Sequence, residues 1–184
     1  VTTLWGLGGW IPIVHLSELG RERGLNDDEA ARLLIWLATG SVAMRLPIAS
    51  LADLYGRRRA FVAVLLGCVL ANGLVAPANV TSSTALSAYA AVEGGLIGAA
   101  SSLLVSVPSE LCYPLPETRS TISLLVTVLG FSFMVGPTIA ASVRDASGGY
   151  TGACALSAAL VAGAAVAMGD WLRQPAPRKR LPSD

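Results

Sequence analysis

Long apolar stretches alternate with short charged segments along this chain. The stretches 60–92, 120–143 and 146–169 contain no Asp, Glu, Lys or Arg. Each is longer than the about 20 apolar residues with which a helix crosses a bilayer, and the apolar residues run continuously instead of alternating as in a β-barrel strand. The pattern predicts an all-α membrane protein with six transmembrane helices, at about 1–16, 33–54, 60–76, 84–107, 120–143 and 151–172, followed by a basic tail at 173–184.

Composition supports a protein embedded in the lipid bilayer. Of the 184 residues 53% are hydrophobic and 14% are charged, whereas soluble domains carry about 25% charged residues. The net charge is +1, and no nucleic-acid partner is expected. Cys68, Cys112 and Cys154 are widely spaced, so they indicate buried small residues rather than a disulfide framework or a metal site. No cofactor is implied.

The distribution of charge predicts the orientation of the helices. The triplet Arg57-Arg58-Arg59, Arg119 and the basic tail fall on one side of the predicted spans, and Arg144 falls on the other. Cytoplasmic loops are enriched in Lys and Arg, so we expect both ends of the chain to be cytoplasmic. A sequon at Asn79 lies in a predicted outer turn. Because the chain begins inside an apolar run, Val1 is expected to be a fragment boundary.

Arg45, in the middle of the second predicted span, is the first candidate for a functional residue. Its neighbours are apolar and Pro47 follows closely. A cation is costly in hydrocarbon and is retained where it faces a cavity, an anion or a partner charge. The sequence therefore predicts an anion-binding or ion-paired role for Arg45.

Glu93 and His15 are the candidates for proton binding. Glu93 is the only acid that lies within a predicted span and well away from both ends. If it faces a cavity, it binds a proton or pairs with Arg45, and its neighbours Gly94 and Gly98 form a GxxxG pair that lets another helix approach. His15 lies near a helix end, where a proton relay and an ordinary polar contact are both open.

The turn after the second span carries a candidate conformational gate. Asp53 is followed by Gly56, Arg57 and Arg58. The aspartate can pair with either arginine and can also face the positive N-terminus of a neighbouring helix. Such a pairing favours one of two conformations of a membrane protein.

Three motifs resemble known transporters. The pattern Arg45, Asp53, Gly56-Arg57-Arg58 resembles the loop motif of the major facilitator superfamily, although Ser50 replaces its usual first glycine. The opening, with Pro12, His15 and then GLNDDEAARLL, is similar to the seventh and eighth spans of monocarboxylate transporters. A third motif is similar to the eleventh span of that family and its exit, namely Gly136-Pro137, Arg144-Asp145, Gly148 and Tyr150. The chain thus resembles the C-terminal half of a monocarboxylate transporter.

The resemblance implies a proton-linked symporter of the plasma membrane that works by alternating access, with two six-helix bundles around a central site. Arg45 matches the family arginine that holds the substrate carboxylate. The family aspartate one turn earlier is Ser41 here, which leaves the coupling ion open and makes Glu93 a candidate substitute. The expected partners are a small organic anion such as lactate or pyruvate, a proton, the missing N-terminal half and an accessory membrane glycoprotein.

Other functions stay open at this point. Members of the same family carry aromatic amino acids, thyroid hormones or creatine. A truncated half that associates with a full-length partner without transporting is a further alternative. An intramembrane enzyme is not expected, because the sequence has no GxS motif before a histidine and no His/Cys cluster with metal spacing.

Overall fold

The computed structural model describes residues 1–75, 82–111 and 115–172. Within these ranges the chain is helical apart from short connections. The helices are α1 (Thr2–Gly9), α2 (Ile11–Glu22), α3 (Asp27–Tyr55), α4 (Arg57–Val75), α5 (Ser83–Leu111), α6 (Leu115–Ser147) and α7 (Tyr150–Leu172). The predicted basic tail, the sequon at Asn79 and Cys112 lie outside the described residues.

The first predicted span is two helices instead of one. α1 ends at Gly9, Trp10 lies between the helices, and α2 carries Pro12 in its first turn. Proline has no N–H to donate and its ring clashes with the carbonyl group four residues earlier, here that of Gly8. A proline is tolerated in the first turn of a helix, so the chain restarts as α2. This segment also extends to Glu22, beyond the predicted end at position 16.

α3 begins at a capping box. The Asn26 side chain accepts a hydrogen bond from the Glu29 backbone N–H at 2.8 Å, and the Glu29 carboxylate accepts one from the Asn26 N–H at 3.1 Å. Just before it, Arg21 pairs with Glu18 and donates to Asp27 at 2.8 Å. The Asp27 hydrogen bond, followed by the charge of Glu18, raises the pKa of Arg21. The carboxylates of Glu18 and Asp27 therefore compensate the positive charge of Arg21.

Four of the described helices are long and apolar enough to cross a membrane: 27–55, 83–107, 119–147 and 150–170. The membrane-embedded, all-helical class is thereby supported, and the number of six spans stays a prediction. α3 packs chiefly against α5, α4 against α7 and α5, and α1 against α6 and α7. The core lies between these helices and is almost entirely apolar.

Glycines allow the helices α3 and α5 to pack in close contact. A Cβ atom at Gly94 of α5 would overlap the Leu37 carbonyl oxygen of α3, and one at Gly40 of α3 would overlap the Ala91 carbonyl oxygen of α5. One turn further along α5, a Cβ at Gly98 would overlap Ser41. The glycines predicted to allow a close helix contact therefore make it, and this contact decides which face of α5 is turned toward α3.

Candidate functional site

Arg45 lies on an exposed face of α3. Its Nη2 atom donates to the Ser41 hydroxyl oxygen, one turn earlier, at 3.4 Å. Within the described part of the chain, no carboxylate forms an ion pair with Arg45. The Ser41 hydroxyl is neutral, so it does not compensate the charge of the guanidinium. Arg45 therefore has donors available for a bidentate contact with an anion.

A cavity of about 150 Å³ lies between α3 and α5 and includes Arg45. Its other polar lining residues are Asp53, Arg57, Ser102 and Ser106, and the remainder of the wall is apolar. Ser102 donates to the Gly98 carbonyl oxygen at 3.0 Å and Ser106 to that of Leu103 at 3.1 Å. The structure therefore joins the predicted anion site and the predicted gate in one cavity, and adds serines that no sequence motif indicated.

The predicted gate lies where α3 ends and α4 begins. Arg57 contacts the Asp53 carboxylate, with Nη2 at 3.2 Å and Nε at 3.3 Å from Oδ1. Between them Gly56 has a φ of 95°, a conformation that glycine adopts without steric cost. Arg58 is in the first turn of α4. The glycine turn thus places the first arginine of the triplet beside the aspartate.

Glu93 is placed away from Arg45. Its side chain is fully buried and its Oε1 atom accepts a hydrogen bond from Asn72 Nδ2 of α4 at 2.8 Å. Tyr89 donates to the other end of the same amide, Asn72 Oδ1, at 2.9 Å. Among the described residues no ion pair joins Glu93 to Arg45. The pairing that the sequence left open is therefore not formed in this structure.

His15 lies within α2 and contacts Pro137 of α6 and Tyr150 of α7. Its Nε2 atom is 3.2 Å from the Pro137 carbonyl oxygen, to which an Nε2–H can donate. Its ring is also 5.4 Å from the Tyr150 ring, centroid to centroid. His15 makes both contacts from within α2, which continues to Glu22, and not from the helix end at which the sequence predicted it. These contacts neither require nor test a proton relay.

The motif at the end of α6 is explained by packing. A Cβ atom at Gly136 would overlap the Leu7 carbonyl oxygen of α1. Gly148 has a φ of 73° in the turn to α7, and the Arg144 guanidinium lies 5.0 Å from the centroid of the Tyr150 ring. Asp145 pairs with Arg144 at 3.3 Å. The motif brings three helices together at one end of the bundle.

Glu22 completes this end of the bundle, although no sequence motif singled it out. Its carboxylate accepts from the Tyr150 backbone N–H, at 3.0 Å to Oε2 and 3.3 Å to Oε1. A negative charge is favourable at a helix N-terminus, and Tyr150 is the first residue of α7. Asn72 was also missed, and a polar residue inside an apolar stretch is the signal that could have found it.

Over its described residues the chain is helical, with four helices able to cross a bilayer and an arginine in a cavity between two of them. These features are those of an integral membrane protein with a candidate solute site. The family model of the Major Facilitator Superfamily matches residues 1–184, so the chain belongs to this superfamily of membrane transporters. A search of curated proteins finds no match to the chain. Members of the superfamily transport solutes and are not enzymes.

Proposed function

We propose that this protein transports small monocarboxylates such as lactate and pyruvate across the plasma membrane, in symport with protons and by alternating access. The observation that carries the proposal is the Arg45 guanidinium, which lines a cavity and has a neutral hydroxyl as its nearest described partner. A guanidinium matches the two oxygens of a carboxylate in bidentate geometry. Because Arg45 has no carboxylate partner among the described residues, the cavity favours a negatively charged substrate.

The lining of the cavity supports a small organic anion. The part of the site formed by this chain has a volume of about 150 Å³, and in this proposal the other half of the transporter encloses the rest. The apolar wall suits the short carbon skeleton of a monocarboxylate. The Ser102 and Ser106 hydroxyl oxygens, whose hydrogens are donated to backbone carbonyl groups, can accept from a 2-hydroxy group. Uptake of other cargo such as aromatic amino acids is one outcome of the experiment below.

Residues 1–172 form, in this proposal, one half of a transporter whose other half is an N-terminal six-helix bundle. Exposed large apolar side chains are concentrated on α3 and α6, for example Leu46, Leu54, Phe131 and Met134. Lipid and a second bundle both cover such surfaces. With both ends of this half on the cytoplasmic side, the pair Asp53 and Arg57 acts as an inner gate that stabilises one of the alternating states.

The test is uptake of radiolabelled lactate and pyruvate at two external pH values, in cells that express the protein at full length. We expect uptake to rise at acid pH and to be lost in Arg45→Ala. Arg59→Ala is the matched control, because it removes an exposed arginine that does not line the cavity. Uptake that is equal in Arg45→Ala and wild type, or absent from wild type, contradicts the proposal; uptake of aromatic amino acids instead reassigns the substrate.

A further inference from the structure

A buried polar cluster lies between α4 and α5, outside the cavity that contains Arg45. Asn72 and Glu93 have no exposed surface, and Tyr89 is 8% exposed. The Asn72 amide is at the centre of the cluster: its Nδ2 atom donates to Glu93 Oε1 at 2.8 Å and to the Cys68 carbonyl oxygen at 2.9 Å. Its Oδ1 atom accepts from the Tyr89 hydroxyl at 2.9 Å. Both polar atoms of the Asn72 side chain thus form hydrogen bonds within the cluster.

The second oxygen of Glu93 is different, because it is buried and has no hydrogen-bond partner among the described residues. The titratable groups that interact electrostatically with Glu93 are Cys68 of α4, Tyr89 of α5 and Cys154 of α7. None of these groups is a cation. α3 meets α5 through glycine contacts, and no charged residue in the described part of α3 interacts with Glu93.

An ionised carboxylate is poorly stabilised in this position. It would have one amide donor and, among the described residues, no cation, and an uncompensated charge in a low-dielectric interior is strongly unfavourable. A neutral carboxyl group removes the charge. The buried polar contacts then consist of groups that are all uncharged, which fits the complete burial of the cluster.

We propose that Glu93 is a proton-binding site separate from the anion site at Arg45, and that it holds its proton on Oε2 while α4 and α5 are packed together. Separation of these helices admits water to Oε2, and the proton passes to a water molecule. The carboxylate that remains keeps its hydrogen bond from Asn72. Tyr89 is a positioning residue, since its hydroxyl occupies Asn72 Oδ1 and so turns Nδ2 toward Glu93.

This inference rests on the proposed proton symport and changes how the proton and the substrate are coupled. If Glu93 paired with Arg45, a substrate anion would release Glu93 by competing for the guanidinium. With Glu93 bonded to α4 instead, the two sites communicate through the packing of α5, which contacts α3 on one face and α4 on another. Proton release then depends on a movement of helices and not on competition for one charge.

The first measurement does not involve a substrate. Infrared spectra of the purified full-length protein report the C=O stretch of neutral carboxyl groups at neutral pH. We expect wild type to show such a band and Glu93→Gln to lose it. Because glutamine keeps the shape and can still bond to Asn72, a loss of the band identifies Glu93 as the protonated group. Identical spectra for the two proteins overturn the inference.

The second measurement compares two modes of lactate transport. Net uptake driven by an inward proton gradient requires proton release, whereas exchange of labelled for unlabelled lactate at equal pH does not. We expect Glu93→Gln to lose gradient-driven uptake and to retain exchange, and Glu93→Asp, which still titrates, to recover part of the uptake. Tyr89→Phe should shift the pH dependence of uptake without abolishing exchange.

The outcomes separate this inference from the proposed function. A wild-type protein that carries no lactate contradicts the proposed substrate, and the infrared result alone then decides whether Glu93 is protonated. Gradient-driven uptake that persists in Glu93→Gln overturns the inference and leaves the cluster as a purely structural contact. If Glu93→Gln fails to fold, a displaced carboxyl band in Glu93→Asp supports the inference and an unchanged band overturns it.

Discussion

Gly94 of α5 lies against the backbone of α3 at Leu37, so that a Cβ atom at position 94 would overlap the Leu37 carbonyl oxygen. The obstacle is backbone, which cannot rotate away as a flexible side chain can. The contact between α3 and α5 is the most extensive one between helices of the described chain. It also forms the wall of the cavity that contains Arg45.

Gly94→Ala should therefore destabilise the protein although alanine favours a helix. Forcing extra volume into a packed interface costs about 1–3 kcal/mol, and we expect a lower melting temperature of the purified protein in detergent. Gly130→Ala is the matched control, because a Cβ atom at Gly130 of α6 meets nothing within 4 Å. Equal melting temperatures for the two variants would show that the close approach is not tight.

Arg45→Lys should weaken substrate binding while leaving the positive charge in place. Lysine cannot make the planar two-atom contact with a carboxylate, and hydrogen bonds to charged groups contribute about 1.5–3 kcal/mol. We expect the KM for lactate to rise by about tenfold or more, at the factor of ten per 1.4 kcal/mol that applies to equilibria. An unchanged KM would indicate that Arg45 contributes only charge.

Asp53→Asn should impair transport with little effect on stability. The Asp53 and Arg57 side chains are 65% and 36% exposed, and exposed ion pairs of this kind contribute about 0–1 kcal/mol. We expect a melting temperature close to that of wild type and a slower rate of lactate uptake. Asp53→Glu, which keeps the charge, is the control. Wild-type uptake in Asp53→Asn would leave the pair without a role in gating.

Glu22→Gln should destabilise the end of the bundle where α2 meets α7. The Glu22 carboxylate accepts from the Tyr150 backbone N–H at 3.0 Å, and a charge at a helix N-terminus contributes about 0.3–1 kcal/mol. We expect a small fall in melting temperature that shrinks in high salt. Glu18→Gln removes an exposed acid of the same helix that pairs with Arg21, and should have a smaller effect. A larger fall in melting temperature for Glu18→Gln than for Glu22→Gln would contradict the role of Glu22 at the N-terminus of α7.

Several local features could be predicted because they depend on neighbours in the sequence. Asn26 precedes three acidic residues at the start of α3, and it makes the capping box with Glu29. Asp53 was expected to pair with Arg57 or Arg58, and it contacts Arg57 across the Gly56 turn. Such contacts join residues three or four positions apart, so residue type and spacing are sufficient to predict them.

The break at Trp10 was not predicted although its cause is visible in the sequence. Pro12 follows Gly8 and Gly9, and this combination weakens a helix from both sides. Apolar composition favoured one continuous span, while backbone hydrogen bonding decided otherwise. Apolar composition indicates that a segment is stable in the bilayer. It does not indicate where along that segment a backbone hydrogen bond is lost.

The sequence by itself determined the class of the fold. A backbone in hydrocarbon must form helices or closed barrels to satisfy its hydrogen bonds, and continuous apolar stretches without the alternation of barrel strands favour helices. The sequence also determined that the side chains of Arg45 and Glu93 are energetically unfavourable inside a membrane span when charged, which makes both of them candidate functional residues. Only the tertiary structure decided which partner each one has. The glycines of α5 turn one face toward α3, which leaves Glu93 directed at Asn72 of α4, and such a rotation depends on packing between residues far apart in the chain.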